Sequence, residues 1–328
     1  MVKIKSAANN SWQLRAELKK SIRSFFGNRN YLEVDTPILV KTPGTEVHLE
    51  YFATEWLDHQ NKPHPYYLRS SPELHLKKIL ASGEPRIFEF AKSFRNHGEL
   101  SDWHQPEFTM LEWYETGISY SDFMTQTEDL LRFSAREMQS LFGIDLIPLK
   151  LPAKFDRITV AQAFKEFAGV DLQDGDQELA SKAKANGILS VTSSDDFETA
   201  FFKTLLERIE PQLKKLDAVF LYNYPGSMAA LAKVERGWAH RFECYVGGVE
   251  LCNAFEELLG EKENRDRITA SNRQRQILGK QAIPEDDSFY EALALGLPAC
   301  CGNALGFDRW LTLLTGNAQI SIHNPFAL

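Results

Sequence analysis

The chain has 328 residues, of which 37 are lysine or arginine and 45 aspartate or glutamate, for a net charge of -8 at pH 7. With 43% hydrophobic and 12% aromatic residues it can bury a sizeable core, as one large domain or two ordinary ones. The acidic balance offers no broad basic face for the phosphate contacts that supply most nucleic-acid affinity, and no stretch is apolar for long enough to span a bilayer. The first residues, MVKIKSAANNSW, lack an apolar secretory core, so a cytoplasmic protein is expected. Cys244, Cys252, Cys300 and Cys301 have no CxxC spacing, and two are adjacent, an awkward geometry for a disulfide. They read as buried thiols and not as metal ligands.

In chain order, residues 11–28 set Leu14, Leu18, Ile22, Phe25 and Phe26 at helical spacing, with Arg15, Lys19, Lys20 and Arg23 outside. The spacing predicts a surface helix ending at Gly27 or Asn28. Residues 31–40 read as turn and strand, with Pro37 tolerable only at a bulge, strand start or edge. Residues 42–64 are polar and broken, as in strands and a variable loop beside a site. Tyr66, Tyr67 and Leu68 form a short strand, and Ser70-Ser71-Pro72-Glu73 opens a helix running to about Ser82. Ser70 and Glu73 have capping-box spacing and Pro72 suits a first turn, so these residues alone favour a cap.

Residues 86–115 read as two strands joined by a long polar loop. Alternation puts Phe88, Phe90, Lys92 and Phe94 on one face of the first strand and Ile87, Glu89, Ala91, Ser93 and Arg95 on the other. In the second strand Phe108, Met110, Glu112 and Tyr114 share a face. A carboxylate among large apolar groups is costly unless paired, so Glu112 implies a cation that the chain does not supply there. The hairpin looks built to hold a ligand.

Residues 121–141 form a long helix, and 159–168, 177–186 and 196–209 shorter ones opened by Thr, Asp or Ser caps. They read as a helical insertion at about 150–215 within a single domain spanning 1–328. A strand over 218–222 leads to a turn over 223–227. Residues 241–246 and 249–253 form a hairpin around Gly247-Gly248. Glu250, Asn253 and Glu257 break strict alternation if all face one ligand; a bulge or strand end would reconcile them. Residues 261–278 are a charged, exposed helix and 287–295 another. Gly302 to Arg309 then brings glycines and an arginine to a helix start, a natural anion site.

Phe94-Arg95-Asn96, His104-Gln105-Pro106-Glu107-Phe108-Thr109 and Glu112-Trp113-Tyr114 resemble the second motif of class II aminoacyl-tRNA synthetases, in the lysyl branch. Tyr31-Leu32-Glu33-Val34-Asp35-Thr36-Pro37 and Ala304-Leu305-Gly306-Phe307-Asp308-Arg309 resemble the other two class II motifs. Three motifs in order, spread over most of the chain, make the signal specific. Over its full length the chain resembles the truncated lysyl-tRNA synthetase paralogs that attach (R)-β-lysine to a lysine of translation elongation factor P.

The resemblance implies an α+β fold, the class II synthetase catalytic domain, with an antiparallel sheet flanked by helices. It implies a homodimer formed through the first helix and strand. The first motif begins almost at once, so no OB-fold anticodon-binding domain is expected and the acceptor shifts away from tRNA.

The resemblance also implies adenylation with ATP and Mg2+. Arg95 would bridge the α-phosphate and the substrate carboxylate, and Phe108 would stack on adenine opposite Arg309, which reaches the γ-phosphate. Arg95 and Arg309 are thus the candidate catalytic residues. Glu243 and Glu250 would hold Mg2+ with Asn253 in support, and Asn96, His97, His104, Gln105, Leu251 and Gly306 complete the ATP site. Glu112, Tyr114 and Glu257 match the clamp for a terminal ammonium; Ser71, Pro72 and Glu73 line the amino-acid pocket, with Glu73 toward the other amine. Ala304 stands where the synthetases carry glycine. Its extra methyl, worth roughly 1–3 kcal/mol of discrimination, points to β-lysine over lysine.

Two positions depart from the family pattern. His97 replaces the usual acid, for which Glu99 is a candidate substitute, and Gln105 replaces an asparagine in a slightly longer loop. Two other readings compete: an α-lysine activator with a different acceptor, and a catalytically silent regulatory paralog.

Overall fold

A computed structural model describes residues 10–98 and 101–324. In chain order its strands are β1 (Leu32–Glu33), β2 (Leu39–Val40), β3 (Ala53–Leu57), β4 (Pro63–Leu68), β5 (Arg86–Phe94), β6 (Glu107–Thr116), β7 (Asp156–Thr159), β8 (Ala218–Pro225), β9 (Val234–Glu235), β10 (Trp238–Val246), β11 (Val249–Glu256) and β12 (Cys300–Gly306). The α-helices are α1 (Ser11–Gly27), α2 (Glu73–Ala81), α3 (Tyr120–Phe142), α4 (Val160–Ala163), α5 (Leu179–Ala185), α6 (Phe197–Thr204), α7 (Glu210–Leu213), α8 (Glu261–Ile277), α9 (Asp287–Gly296) and α10 (Phe307–Leu314). Contacts gather the chain into two compact units. The first takes the described residues of Met1–Ile118, Asp129–Leu149 and Leu258–Leu328, the second Ser119–Glu128 and Lys150–Glu257.

In the first unit β5 and β6 pair antiparallel, Arg86 opposite Glu115 and Phe94 opposite Glu107. β12 joins β6 antiparallel with Ala304 opposite Glu112, and β1 lies parallel to β5. Strand alternation decides what each face meets. Phe26 of α1 stacks on Phe88 with ring centroids 4.7 Å apart and meets Trp113 at 5.6 Å, so the apolar stripe of α1 covers the face opposite the one that carries Glu112. Phe307 of α10 meets Phe90 edge-on at 5.6 Å on that same covered face. Burying such rings contributes about 1.5–3 kcal/mol each, which ties the helices to the sheet. β2, β4 and β3 make a small separate sheet.

The second unit orders its strands β7, β8, β10 and β11, with β9 against β10. β7 joins β8 in parallel, so this strand and β1 depart from the antiparallel rule expected for the sheet. Short helices cover the strands through a core in which Phe164 stacks on Phe201 at 4.8 Å. Thr159 closes a capping box with Gln162, and Asp196 caps α6 through the amide of Thr199, as their sequence positions predict.

The capping box expected between Ser70 and Glu73 does not form. Ser70 Oγ turns inward to donate to the Pro43 carbonyl at 2.9 Å, Ser71 Oγ accepts from the Glu73 amide at 3.0 Å, and the Glu73 carboxylate is drawn to Lys77. The Pro43 carbonyl accepts from the Ser70 amide as well, at 2.9 Å, so the buried hydroxyl finds its own partner in the same oxygen.

Candidate active site

The register makes one face out of three strands. Glu89, Glu112 and Ala304 stand opposite one another across β5, β6 and β12, and Ser93 stands opposite Phe108. Alternation therefore carries Phe108, Met110, Glu112 and Tyr114 onto the face that also bears Ala304 and Gly306.

Glu112 is only 1% exposed. Its two oxygens accept from Ser71 Oγ at 2.9 Å and from the Tyr114 hydroxyl at 2.8 Å. Both partners are neutral. Burial, and then the neighbouring Glu73 carboxylate, push the Glu112 carboxyl up to about 8. Glu89, opposite, is satisfied differently: Arg69 pairs with it at 2.6 Å and the Thr36 hydroxyl donates at 2.7 Å. Glu73 meets the ammonium of the buried Lys77 at 2.6 Å. Thr42, Gly44, Glu46, Ser71, Glu73 and His75 line a cavity at this end of the face. Pro72 is the N-cap residue of α2, fixing where Ser71 and Glu73 project.

At the other end, Arg95 follows β5 and its amide donates to the Pro106 carbonyl at 2.9 Å, closing the loop base. Its guanidinium lies 5.3 Å from the Phe108 ring centroid, and its Nε is buried without a hydrogen-bond partner among the described residues. An unsatisfied buried N–H on a cation is costly, so this group is suited to an incoming anion. The Asn96 amide donates to the Glu50 carbonyl at 3.0 Å, and Asn96 Oδ1 accepts from the His97 amide at 2.9 Å. His97 itself has a φ of 53°, a left-handed conformation that histidine adopts more readily than most residues. Glu99, the candidate substitute for the missing acid, lies outside the described residues.

Arg309 Nη2 is 2.7 Å from His104 Nε2, and Arg309 Nε donates to the Trp103 carbonyl at 3.3 Å. A guanidinium only donates, so Nε2 is the acceptor and the His104 proton sits on Nδ1, from which it reaches Ser101 Oγ at 2.8 Å. Gln105 lies between this histidine and the start of β6. Gly306 caps α10, and a Cβ there would approach Arg309 Cδ to 3.3 Å, so the glycine clears the arginine's stem. Asp308 anchors the turn by accepting from the Thr109 amide at 2.6 Å and pairing with Arg15.

In the second unit Arg241, Glu243 and Tyr245 alternate onto one face of β10, with Asn253 opposite Glu243 and Glu250 opposite Tyr245. Leu251 is the extra residue where the register shifts, so Glu250 and Asn253 reach the same face. Of the two arrangements their spacing allowed, a bulge or a strand end, β11 has the bulge. Glu243 accepts from Arg241 at 2.6 Å and from the Tyr245 hydroxyl at 2.7 Å, while Arg241 Nε donates to Asn253 Oδ1 at 3.1 Å. Glu257, the residue after β11, is buried. Two carboxylates on one face are the hard oxygen donors that Mg2+ prefers, but both oxygens of Glu243 are engaged. No cluster of three metal-ligating side chains occurs among the described residues. The set fits an ion held through one or two carboxylates and substrate phosphates, and does not fit an all-protein cage.

Residues 2–327 match the family model of tRNA synthetases class II (D, K and N). The chain belongs to this class II family. It is 35% identical over 312 residues to a Vibrio cholerae protein named Elongation factor P--(R)-beta-lysine ligase, covering 93% of this chain and 91% of that one. Proteins of the same name from Proteus mirabilis and Hamiltonella defensa are 34% and 35% identical over 313 and 311 residues, covering 94% and 93% of this chain and 91% and 90% of their own lengths.

Within this class II chain the candidate residues fall into two groups. The first unit brings together Ser71, Pro72, Glu73, Glu112, Tyr114 and Ala304 around one end of a sheet face, and Arg95, Phe108, His104, Gly306 and Arg309 around the other. The second unit brings together Glu243, Glu250, Leu251 and Asn253, with Glu257 just past the end of β11. Sequence reasoning missed the cations that hold these acids: Lys77, Arg69 and Arg241. Helical i,i+4 spacing to Glu73 and strand i,i+2 spacing to Glu243 mark Lys77 and Arg241; nothing local marks Arg69.

Proposed function

We propose that the protein activates (R)-β-lysine with ATP and transfers the β-lysyl group to a lysine side chain of translation elongation factor P. The observation that carries this reading is a pair of carboxylates: Glu112, buried with the Ser71 and Tyr114 hydroxyls as its hydrogen-bond donors, and Glu73, which lines the adjoining cavity. A diamino acid brings two ammonium groups to such a pair, and burial makes that pairing selective. Ala304 stands opposite Glu112, where an added methyl favours the amine set one carbon farther from the carboxylate. Relatives named for this activity at 34–35% identity support the acceptor.

In the first step a carboxylate oxygen of the amino acid attacks the α-phosphorus of ATP, a P–O bond forms and pyrophosphate leaves. Arg95 neutralises charge developing between the two reactants, Phe108 supports the adenine, and Arg309 holds the departing phosphates. Glu243, Glu250 and Asn253 would hold Mg2+, which offsets charge on the phosphates when bound. In the second step the acceptor's neutral lysine amine attacks the adenylate carbonyl, an amide forms and AMP leaves. No protein nucleophile is needed. The enzyme works in the cytoplasm as a homodimer in this reading.

The test is ATP–pyrophosphate exchange with (R)-β-lysine, (S)-β-lysine and α-lysine in parallel, followed by intact-mass analysis of elongation factor P. Exchange strongest with (R)-β-lysine and a lysyl-sized addition to the factor are expected. Exchange with α-lysine alone would transfer the proposal to an α-lysine activator, and no exchange at all would leave a silent paralog.

A further inference from the structure

Residues 42–51 form a strap that the reaction scheme does not use. At one end Thr42, Gly44 and Glu46 line the cavity beside Ser71 and Glu73. At the other, Glu50 forms an isolated antiparallel bridge with Asn96, next to Arg95. Between them the strap has no regular secondary structure beyond that bridge, so its carbonyls find no ladder. Three of them are met instead by one side chain near the end of α8. Arg275, 1% exposed, donates from Nη1 to the carbonyls of Glu46, Val47 and Leu49 at 3.1, 3.0 and 2.6 Å, and from Nε to the Gln281 carbonyl at 2.9 Å. Its Nη2 lies 3.6 Å from the Glu50 carboxylate, and its guanidinium carbon lies 5.2 Å from the Tyr51 ring centroid.

The cavity end is equally specified. Glu46 Oε2 accepts from the Thr45 amide and the Tyr51 hydroxyl, both at 3.0 Å. Thr42 donates to the Pro284 carbonyl at 2.9 Å. A Cβ on Gly44 would fall 2.4 Å from Glu46 Oε2 and 2.5 Å from Ser70 Oγ, so the strap passes its neighbours with no room for a side chain. At the other end the Lys280 ammonium pairs with Glu50 at 2.9 Å and donates to the His48 carbonyl at 2.8 Å.

We propose that Arg275 is a positioning residue which, by gripping residues 46–50, couples the wall of the amino-acid cavity to the placement of Asn96 and Arg95, so that occupancy of one end of the face sets the affinity of the other. This rests on the adenylation reading above. A planar fork with several donors is needed to meet divergent carbonyls, which a lysine cannot reproduce. A strap held at both ends transmits a displacement that a free loop would absorb.

Two variants approach the strap from opposite sides: Arg275→Gln removes the grip, and Gly44→Ala crowds Glu46 and Ser70 from the cavity side. In ATP–pyrophosphate exchange, both are expected to raise the KM for amino acid and for ATP at least tenfold while kcat stays within about threefold of the parent protein. Amide hydrogen exchange, read without any substrate, is expected to quicken in 46–50 and 95–97 of R275Q. A G44A protein with a raised amino-acid KM and an unchanged ATP KM would overturn the coupling, and G44A decides alone if R275Q fails to fold. Unchanged KM values with a lowered melting temperature would reduce Arg275 to a structural role. If the parent protein activates no amino acid, the adenylation reading fails, while hydrogen exchange still reports whether R275Q loosens 95–97.

Discussion

Glu112 holds its proton well above the ordinary glutamate range. In the folded chain burial and the Glu73 carboxylate keep its proton up to about pH 8, whereas in the unfolded chain it is lost near the ordinary glutamate value of about 4.3. The group's contribution to stability is thus fully present below about pH 4 and is lost as the pH rises toward 8. An ammonium arriving at Glu112 favours the charged form, so substrate binding at neutral pH must expel the proton. Calorimetry in buffers of different ionisation enthalpy is expected to show close to one proton released per amino acid bound near pH 7, falling toward none above about pH 9. Glu112→Gln should abolish that release and weaken binding by roughly 2–5 kcal/mol, the range for truncating a buried charge pair. Proton-neutral binding by the parent protein would remove Glu112 as the ammonium's partner. The odd chemistry of this position was legible in alternation alone, since a carboxylate stood in a file with Phe108 and Met110. Its partners were not: Ser71 lies 41 residues away and reaches it only through the fold.

Elements were legible where one local signal dominates. The Gly247-Gly248 turn, the stripe of α1 and the Thr159 cap followed their rules because nothing distant competes for the same groups. Ser70 broke the capping rule because the Pro43 carbonyl competed for its hydroxyl and won. The π-helical turns at Phe164–Ala168 and Leu205–Ile209 left no mark in hydrophobic spacing, since one extra residue per turn still buries Phe164 and Leu205. The β10–β11 hairpin supplies the test at this scale. Gly248 has a φ of 80°, and a Cβ there would come within 2.7 Å of Lys214 Cγ and 2.9 Å of its Cα. Backbone cannot give way as a flexible side chain does. Gly248→Ala should therefore cost more than the roughly 1 kcal/mol of conformational strain alone, near 2–3 kcal/mol in urea unfolding, and should also disturb the Glu250 bulge two residues on. A loss below 1 kcal/mol would mean the hairpin is looser than its contacts imply.

At the scale of the whole molecule, three short motifs spread along the chain identified the class II fold, yet the bonds that seat them are long-range and unreadable in sequence: Arg15 to Asp308 across 293 residues, and Arg275 to the strap across more than 220. Charge patterning placed Arg15 outside a helix stripe and read 261–278 as a charged, exposed helix, yet Arg275 is buried, because the strap's carbonyls draw its guanidinium inward. The same scale bears on assembly. Trp12 is 51% exposed, Leu32 48% and Leu39 43%. Single exposed apolar residues are ordinary, but Leu32 within the first class II motif, with Trp12 before it and Leu39 after it, matches the region expected to form a homodimer. A carboxylate introduced into such a surface leaves the monomer's fold untouched and opposes only association, because it stays hydrated until a partner arrives. Sedimentation equilibrium of the parent protein is expected to give twice the chain mass, and the double variant Leu32→Glu, Leu39→Glu to weaken dimerisation at least a hundredfold with an unchanged melting profile at concentrations where both are monomeric. A parent protein that sediments as a monomer at tens of micromolar would leave these side chains as ordinary surface, and adenylation would then have to be complete within one chain.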